Sequence, residues 1–113
     1  MRHILAYLIT LVVALLIARV MLGPVGDTGL SFPHMDKVVH FVAFACLALP
    51  LSISQTHPRL WIFGAGLGFG ALIELIQPQF GRTADWIDLL SDAAGLVLGL
   101  AAGYALTRGR PRQ

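Results

Sequence analysis

Histidine and carboxylate side chains recur at helical spacing in this otherwise apolar chain, close to the ends of its apolar runs. His40, Glu74 and Asp88 carry side chains that can transfer protons, so we consider them candidate catalytic residues. Nearby polar residues are candidates for ligand binding: Asp36, Lys37, Gln77, Arg82, Asp85 and Asp92. Together these residue types predict a polar site that binds a ligand or performs acid–base chemistry.

A divalent cation is one ligand that suits these side chains. Carboxylate and amide oxygens favour Mg²⁺, Mn²⁺ or Ca²⁺. The sequence has no H-E-x-x-H motif and no Cys/His pair, so it gives little support to zinc. No serine or cysteine stands in a nucleophile motif, and Cys46 is the only cysteine. The identity of any cofactor therefore stays open, as does the question of whether the chain is an enzyme.

The composition places these residues in a membrane protein. Of the 113 residues, 57% are hydrophobic and 12% are charged, and the mean hydropathy is +0.77. Soluble domains carry about 25% charged residues, which argues against both a soluble enzyme and a disordered chain. A net charge of +2 without a basic face also argues against nucleic-acid binding.

Four apolar runs are long enough to cross a membrane as helices. They cover about residues 4–22, 36–54, 59–77 and 84–106, each near the ~20 residues that span the hydrocarbon core. Because the runs are continuous and do not alternate, they predict helices. We expect an all-α membrane protein, a compact bundle of four transmembrane helices in a single domain. The first helix should be retained, because Arg19 interrupts the region where a signal peptide would be cleaved.

Prolines and polar residues mark the predicted helix ends. Pro58 precedes the third span and Pro78 ends it, whereas Pro50 lies inside the second span. Thr83 is the predicted N-cap of the fourth helix, with Asp85 in its first turn. These boundaries put the candidate site residues at or near the ends of spans.

The basic residues predict that both termini are cytoplasmic, because the cytoplasmic side of a membrane protein is enriched in lysine and arginine. In that orientation the cytoplasmic residues are Arg2, Arg59, Arg108, Arg110 and Arg112, and the outer ones are Arg19, Lys37 and Arg82. All six acidic residues, including Asp27, then lie at the outer end of the bundle.

Helical phase predicts which faces of the last three spans are buried. At 100° per residue, three sets of residues each share a face: Asp36, His40, Phe44 and Leu47; Gly66, Gly70, Glu74 and Gln77; Asp85, Asp88, Asp92, Gly95, Gly99 and Gly103. Glycines spaced by four let helices approach closely, and we expect Gly99 to pack against the third span. The polar residues continue the glycine stripes, so they should face neighbouring helices and not lipid.

The predicted polar layer has two interpretations. His40, Glu74 and Asp92 would lie about 5 Å below the interface, where an ionisable residue points to function. The carboxylates outnumber Lys37 and Arg82, so the remainder must be protonated, bind a cation or meet a cationic ligand. The alternative is a purely structural network, in which the two cations lock the bundle.

The polar residues also form an ordered set of motifs that resembles the VanZ-like family. The segment D-K-V-V-H-F at 36–41, followed by Phe44, is similar to the family signature D-K-x-x-H-F-x-x-[FY]. The segment E-L-I-Q at 74–77, followed by Arg82, resembles its E-x-x-Q…R element. The segment D-L-L-S-D-A-A-G at 88–95 resembles its D-x-x-x-N-x-x-G element.

The resemblance implies a small multi-helix protein of the bacterial inner membrane, but it does not define a reaction. The namesake of the family is associated with low-level resistance to teicoplanin, which acts outside the cell on wall precursors. Asp92 departs from the pattern, because the family usually has Asn at this position. The departure adds a potential charge to the polar layer.

Three functions are compatible with these features. The first is a cell-envelope protein that recognises or modifies a lipid-linked or cell-wall-related headgroup at the outer leaflet, where Lys37 and Arg82 could hold a phosphate. The second is a non-catalytic scaffold or interaction subunit. A small transporter is less favoured, because the first helix carries Arg19 and no deep acid. The expected partners are membrane lipids or a lipid-linked headgroup, and a homo-oligomer is also compatible.

Overall fold

Four helices account for most of the chain. A computed structural model describes residues 2–23, 35–55, 57–81 and 84–111. The helices are α1 (Arg2–Leu22), α2 (Met35–Ser54), α3 (Arg59–Ile76) and α4 (Trp86–Thr107), and a short 3-10 helix (Gln77–Phe80) follows α3. The described residues contain no strand, so the predicted all-α fold is confirmed.

Each of the four helices is long and apolar enough to cross a membrane. The bundle measures 46 × 24 × 24 Å, and its long axis is close to the ~40–45 Å thickness of a bilayer with its headgroups. Large apolar side chains of α1 such as Leu5, Leu11 and Leu15 are more than half exposed, as expected for a surface that faces lipid. The cytoplasmic placement of the termini stays a prediction.

The tightest contact in the bundle is between α2 and α4, and the glycines of α4 make it possible. A Cβ at Gly95 would collide with the backbone carbonyl of Phe41, and one at Gly99 would lie 2.5 Å from the carbonyl oxygen of Ala45. The prediction that Gly99 packs against the third span is therefore wrong. Helical phase identifies the buried face of a helix, but it does not identify the helix that covers this face.

The glycines of α3 face α4 as well. A Cβ at Gly66 would lie 2.5 Å from a side-chain methyl group of Leu96, and one at Gly70 would lie 2.5 Å from a carboxylate oxygen of Asp92. Leu96 is fully buried between the helices. α4 is thus the helix against which both α2 and α3 are positioned.

The helix ends near the candidate site differ in detail from the predicted ones. Asp85 is the N-cap of α4, and its Oδ1 accepts a hydrogen bond of 3.0 Å from the backbone N–H of Ile87. The predicted cap Thr83 lies outside the described residues, and the placement of Asp85 in the first turn is wrong because its backbone is extended. α3 ends at Ile76, so Pro78 belongs to the 3-10 helix that follows it.

Candidate functional site

Seven ionisable side chains from α2, α3 and the start of α4 meet at one end of the bundle. We call them the polar cluster: Asp36, Lys37, His40, Glu74, Asp85, Asp88 and Asp92. The buried faces predicted from helical phase bring them together, because the polar residues lie near the starts of α2 and α4 and near the end of α3, which meet at the same end of the bundle. His40 and Asp92 follow the first residues of α2 and α4 by five and six positions, which is about 8–9 Å along a helix.

A histidine between two aspartates forms the buried half of the cluster. His40 Nδ1 lies 2.6 Å from Asp92 Oδ1, and both residues are buried, with 4% and 0% of their surface exposed. His40 Nε2 lies 3.5 Å from Asp88 Oδ2, which is longer than the ~2.7–2.9 Å of a charge-assisted hydrogen bond. The ring also stacks on Phe44, with centroids 6.3 Å apart. Asp92 and Phe44 thus fix the ring, while Nε2 stays loosely paired.

The buried carboxylate of Glu74 is only half satisfied. Its Oε2 accepts a hydrogen bond of 2.9 Å from the backbone N–H of Asp85, the N-cap of α4. Its Oε1 is buried and has no hydrogen-bond partner among the described residues, and the same holds for Asp92 Oδ2. Asp92 Oδ2 points to α3 beside Gly70, where a side chain would collide with it.

Lys37 forms the rim of the cluster with three aspartates. Its Nζ lies 3.0 Å from Asp85 Oδ2 and 3.3 Å from carboxylate oxygens of both Asp36 and Asp88. Asp36 is exposed, whereas Lys37 and Asp85 are partly exposed. The Lys37 ammonium, together with the N–H of Ile87, holds the pKa of Asp85 below its usual value. The rim is therefore the charged, accessible part of the cluster.

Two of the candidate ligand-binding residues stand apart from the polar cluster. Gln77 is buried, but its Nε2 donates a hydrogen bond of 3.1 Å to the backbone carbonyl of Met21, so it connects the end of α3 to α1. Its Oε1 has no hydrogen-bond partner among the described residues. Arg82 lies outside the described residues.

The donor atoms of the cluster are close enough to hold a cation. His40, Glu74 and Asp88 each offer one donor atom, and the three atoms lie within 4.8 Å of one another. Asp36, Asp85 and Asp88 form a second such group at the rim. Five carboxylates of the described residues thus surround Lys37 and one imidazole, an arrangement that suits a cationic ligand.

A second polar network, which the sequence analysis did not single out, lies at the opposite end of the bundle. Arg59 Nε donates a hydrogen bond of 3.3 Å to Ser52 Oγ, and Arg59 Nη2 donates one of 3.2 Å to Thr107 Oγ1. We call Ser52, Arg59 and Thr107 the hydroxyl network. Its signal in the sequence is weak, because single hydroxyl residues are common in membrane helices and Arg59 indicates topology equally well.

Comparison with known proteins agrees with the motifs. The family model described as VanZ/LLP1 matches residues 4–107, a range that contains the whole polar cluster and nearly the whole chain. No curated protein and no solved structure matches the chain. The matched range, the four membrane-length helices and the ordered polar motifs agree: this chain belongs to the VanZ/LLP1 family.

Proposed function

We propose that this VanZ-family membrane protein recognises or modifies the headgroup of a lipid-linked or cell-wall-related molecule through the polar cluster. The observation that carries the proposal is the surplus of carboxylates at one end of an otherwise apolar bundle. Glu74 and Asp92 are fully buried there, and each has one oxygen without a hydrogen-bond partner among the described residues. Such oxygens are costly to bury unless a ligand satisfies them.

The position of the cluster fits a headgroup better than a substrate carried across the membrane. It lies within about 9 Å of the helix ends, close to the headgroup layer, whereas transporters bind their substrates near the midplane. The lysine and arginine distribution favours an orientation with this end at the outer leaflet of the bacterial inner membrane, and the proposal adopts that orientation.

Each part of the cluster suits a different part of a headgroup. At the rim, Asp36 and Asp85 are exposed or partly exposed and can move away from Lys37, which frees its ammonium for a phosphate, whereas the buried Asp88 stays beside it. Deeper in, the free oxygen of Glu74 suits a hydroxyl group, an amine or a cation. If the headgroup is also modified, His40 is the group placed for proton transfer, because Asp92 orients its ring.

One observation favours a second candidate, a non-catalytic scaffold. Lys37 contacts three carboxylates at 3.0–3.3 Å and so ties the start of α2 to the start of α4. In a scaffold these contacts would only hold the bundle together. The two functions differ in what happens when the buried charge of Glu74 is removed, because only a ligand site should lose a bound molecule.

Native mass spectrometry of the protein in mild detergent tests the proposal. The parent should retain a lipid or lipid-linked molecule that Glu74→Gln loses, because the glutamine keeps the shape and the acceptor for Asp85 but removes the charge. Thr107→Val is the matched control: it alters an equally buried polar residue at the opposite end of the bundle and should retain the molecule. The same spectra report whether the chain forms a homo-oligomer.

The outcomes separate the two candidates. Loss of the bound molecule from a folded Glu74→Gln variant supports headgroup recognition. Retention by the parent and by both variants alike removes the polar cluster from the binding site. If the parent retains no molecule even when it is purified from its native membrane, the result favours the scaffold.

A further inference from the structure

We propose that the buried half of the polar cluster binds one divalent cation, with His40 Nε2, Glu74 and Asp88 as its ligands. Asp92 would act as a positioning residue that holds His40 and does not touch the ion. The inference concerns the same cluster and therefore rests on the proposed function, but binding of an ion can be measured without any headgroup.

The geometry around His40 Nε2 fits two ligands of one ion. Donors about 2.1 Å from a shared ion, at angles between tetrahedral and octahedral, lie about 3.0–3.4 Å apart. The distance of 3.5 Å between His40 Nε2 and Asp88 Oδ2 is close to this range. The donor atom of Glu74 completes a group within 4.8 Å, so a small inward movement of its side chain would close a three-ligand site.

Asp92 prepares the histidine for this role. An imidazole that donates its Nδ1 hydrogen to a carboxylate has its lone pair on Nε2, and metal-bound histidines are commonly oriented in this way. The distance of 2.6 Å between His40 Nδ1 and Asp92 Oδ1 fits that arrangement, and the stacked ring of Phe44 limits rotation of the imidazole.

Glu74 supplies an independent observation that points to a ligand. The residue is fully buried, and its Oε1 has no hydrogen-bond partner among the described residues. Its other oxygen already accepts the hydrogen bond from the N-cap of α4, so Oε1 is the oxygen left for a ligand. A buried oxygen without a partner, on a residue that offers a donor atom within 4.8 Å of those of His40 and Asp88, points to a cation as the missing partner.

The second acidic group, at the rim, is a poorer site because a cation already occupies it. Lys37 Nζ contacts all three of its aspartates, namely Asp36, Asp85 and Asp88. A metal ion would have to displace this ammonium group. In the buried site Lys37 contacts only Asp88, through Oδ1 at 3.3 Å, and the other oxygen of Asp88 faces His40 Nε2. The mixed nitrogen and oxygen donors of this site suit Mn²⁺ better than Ca²⁺, which prefers oxygen alone.

Electron paramagnetic resonance of Mn²⁺ added to the detergent-solubilised full chain tests the site. The parent should bind one Mn²⁺ per chain, with a ¹⁴N coupling from the imidazole of His40. Changes around metal ligands lower affinity about 10–100-fold, so His40→Gln and Glu74→Gln should each lower it at least tenfold. His40→Gln should also abolish the ¹⁴N coupling. His57→Gln, at the opposite end of the bundle, is the control that should leave both unchanged.

Several results would overturn the inference. They are the absence of stoichiometric Mn²⁺ binding by the parent, binding without ¹⁴N coupling, and binding that survives in His40→Gln but is lost in Asp36→Asn. Circular dichroism shows which variants fold. If His40→Gln does not fold, the Mn²⁺ affinity of Glu74→Gln tests the site instead. Lipid retention that persists in a chelator, with no Mn²⁺ binding, would refute the ion but keep the proposed function. Mn²⁺ binding without lipid retention would support the ion site but refute the proposed function.

Discussion

The two ends of the bundle both contain buried polar residues, but only one end satisfies them. In the hydroxyl network, Ser52 Oγ accepts from Arg59 and donates to the carbonyl of Leu100 at 3.2 Å. Thr107 Oγ1 likewise accepts from Arg59 and donates to the carbonyl of Gly103 at 2.7 Å. Each hydroxyl thus uses its donor and an acceptor within the protein, so this network needs no ligand.

The polar cluster has the opposite character. It contains more carboxylates than cations, and Glu74 and Asp92 each keep one buried oxygen without a hydrogen-bond partner among the described residues. A polar group that only stabilises a fold is expected to be fully hydrogen-bonded, because an unpaired one costs about 1–3 kcal/mol. This difference supports the proposal that the hydroxyl network holds the helices together, whereas the polar cluster binds a ligand.

The largest loss of stability is expected from a change that separates α2 from α4, because this contact supports both ends of the bundle. Gly95→Leu places a side chain against the backbone of Phe41 and should push α2 away from α4. Overpacking against a backbone should lower the free energy of unfolding by about 3 kcal/mol or more, and both ends should lose their contacts. Thermal unfolding in detergent measures this. Gly64→Leu is the control, because open space surrounds Gly64, and equal loss in both variants would refute the packing account.

The next effect separates stability from binding. Thr107→Val removes an acceptor of Arg59 and a donor to Gly103, so it should lower the free energy of unfolding by about 1–3 kcal/mol. It should leave Mn²⁺ and lipid retention unchanged. A variant that is as stable as the parent would show that the hydroxyl network is not structural.

A smaller effect is expected from Asp92→Asn, which introduces the residue that the VanZ-like pattern usually carries. Asparagine keeps an oxygen for His40 Nδ1 but removes the charge, so the fold should persist. Because it acts only through His40, the affinity for Mn²⁺ should fall about 10-fold while the ¹⁴N coupling is retained. Loss of that coupling with normal folding would contradict the assignment of Asp92 as a positioning residue.

The smallest effect is expected at the rim. Asp85→Asn keeps an N-cap, because asparagine caps helices as well as aspartate does, but it loses the charge that pairs with Lys37. It should therefore lower the unfolding midpoint slightly at neutral pH and approach the parent at acid pH. The parent should lose the contribution of the Asp85 carboxylate as the pH falls through its depressed pKa. Asp85→Asn should lack this part of the acid sensitivity. Identical pH profiles of the midpoint would contradict the pairing of Asp85 with Lys37.

The sequence predicts the helices and the residues of the cluster better than it predicts their contacts. Apolar runs of membrane length and helical phase locate the four helices and place His40, Glu74 and Asp92 on buried faces. Neither says which helices touch, so the predicted contact of Gly99 with the third span is wrong, and Gly99 packs against α2 instead. The sequence gives little sign of the hydroxyl network, because its members are far apart in sequence and none of them is unusual alone.

The most direct test of the central claim is the free energy of unfolding of Glu74→Gln in detergent, measured beside the parent and Thr107→Val. If the polar cluster is a ligand site, removing its surplus buried charge should leave the ligand-free protein as stable as the parent or more stable. A decrease of about 2 kcal/mol or more, similar to that of Thr107→Val, would show instead that Glu74 holds the bundle together.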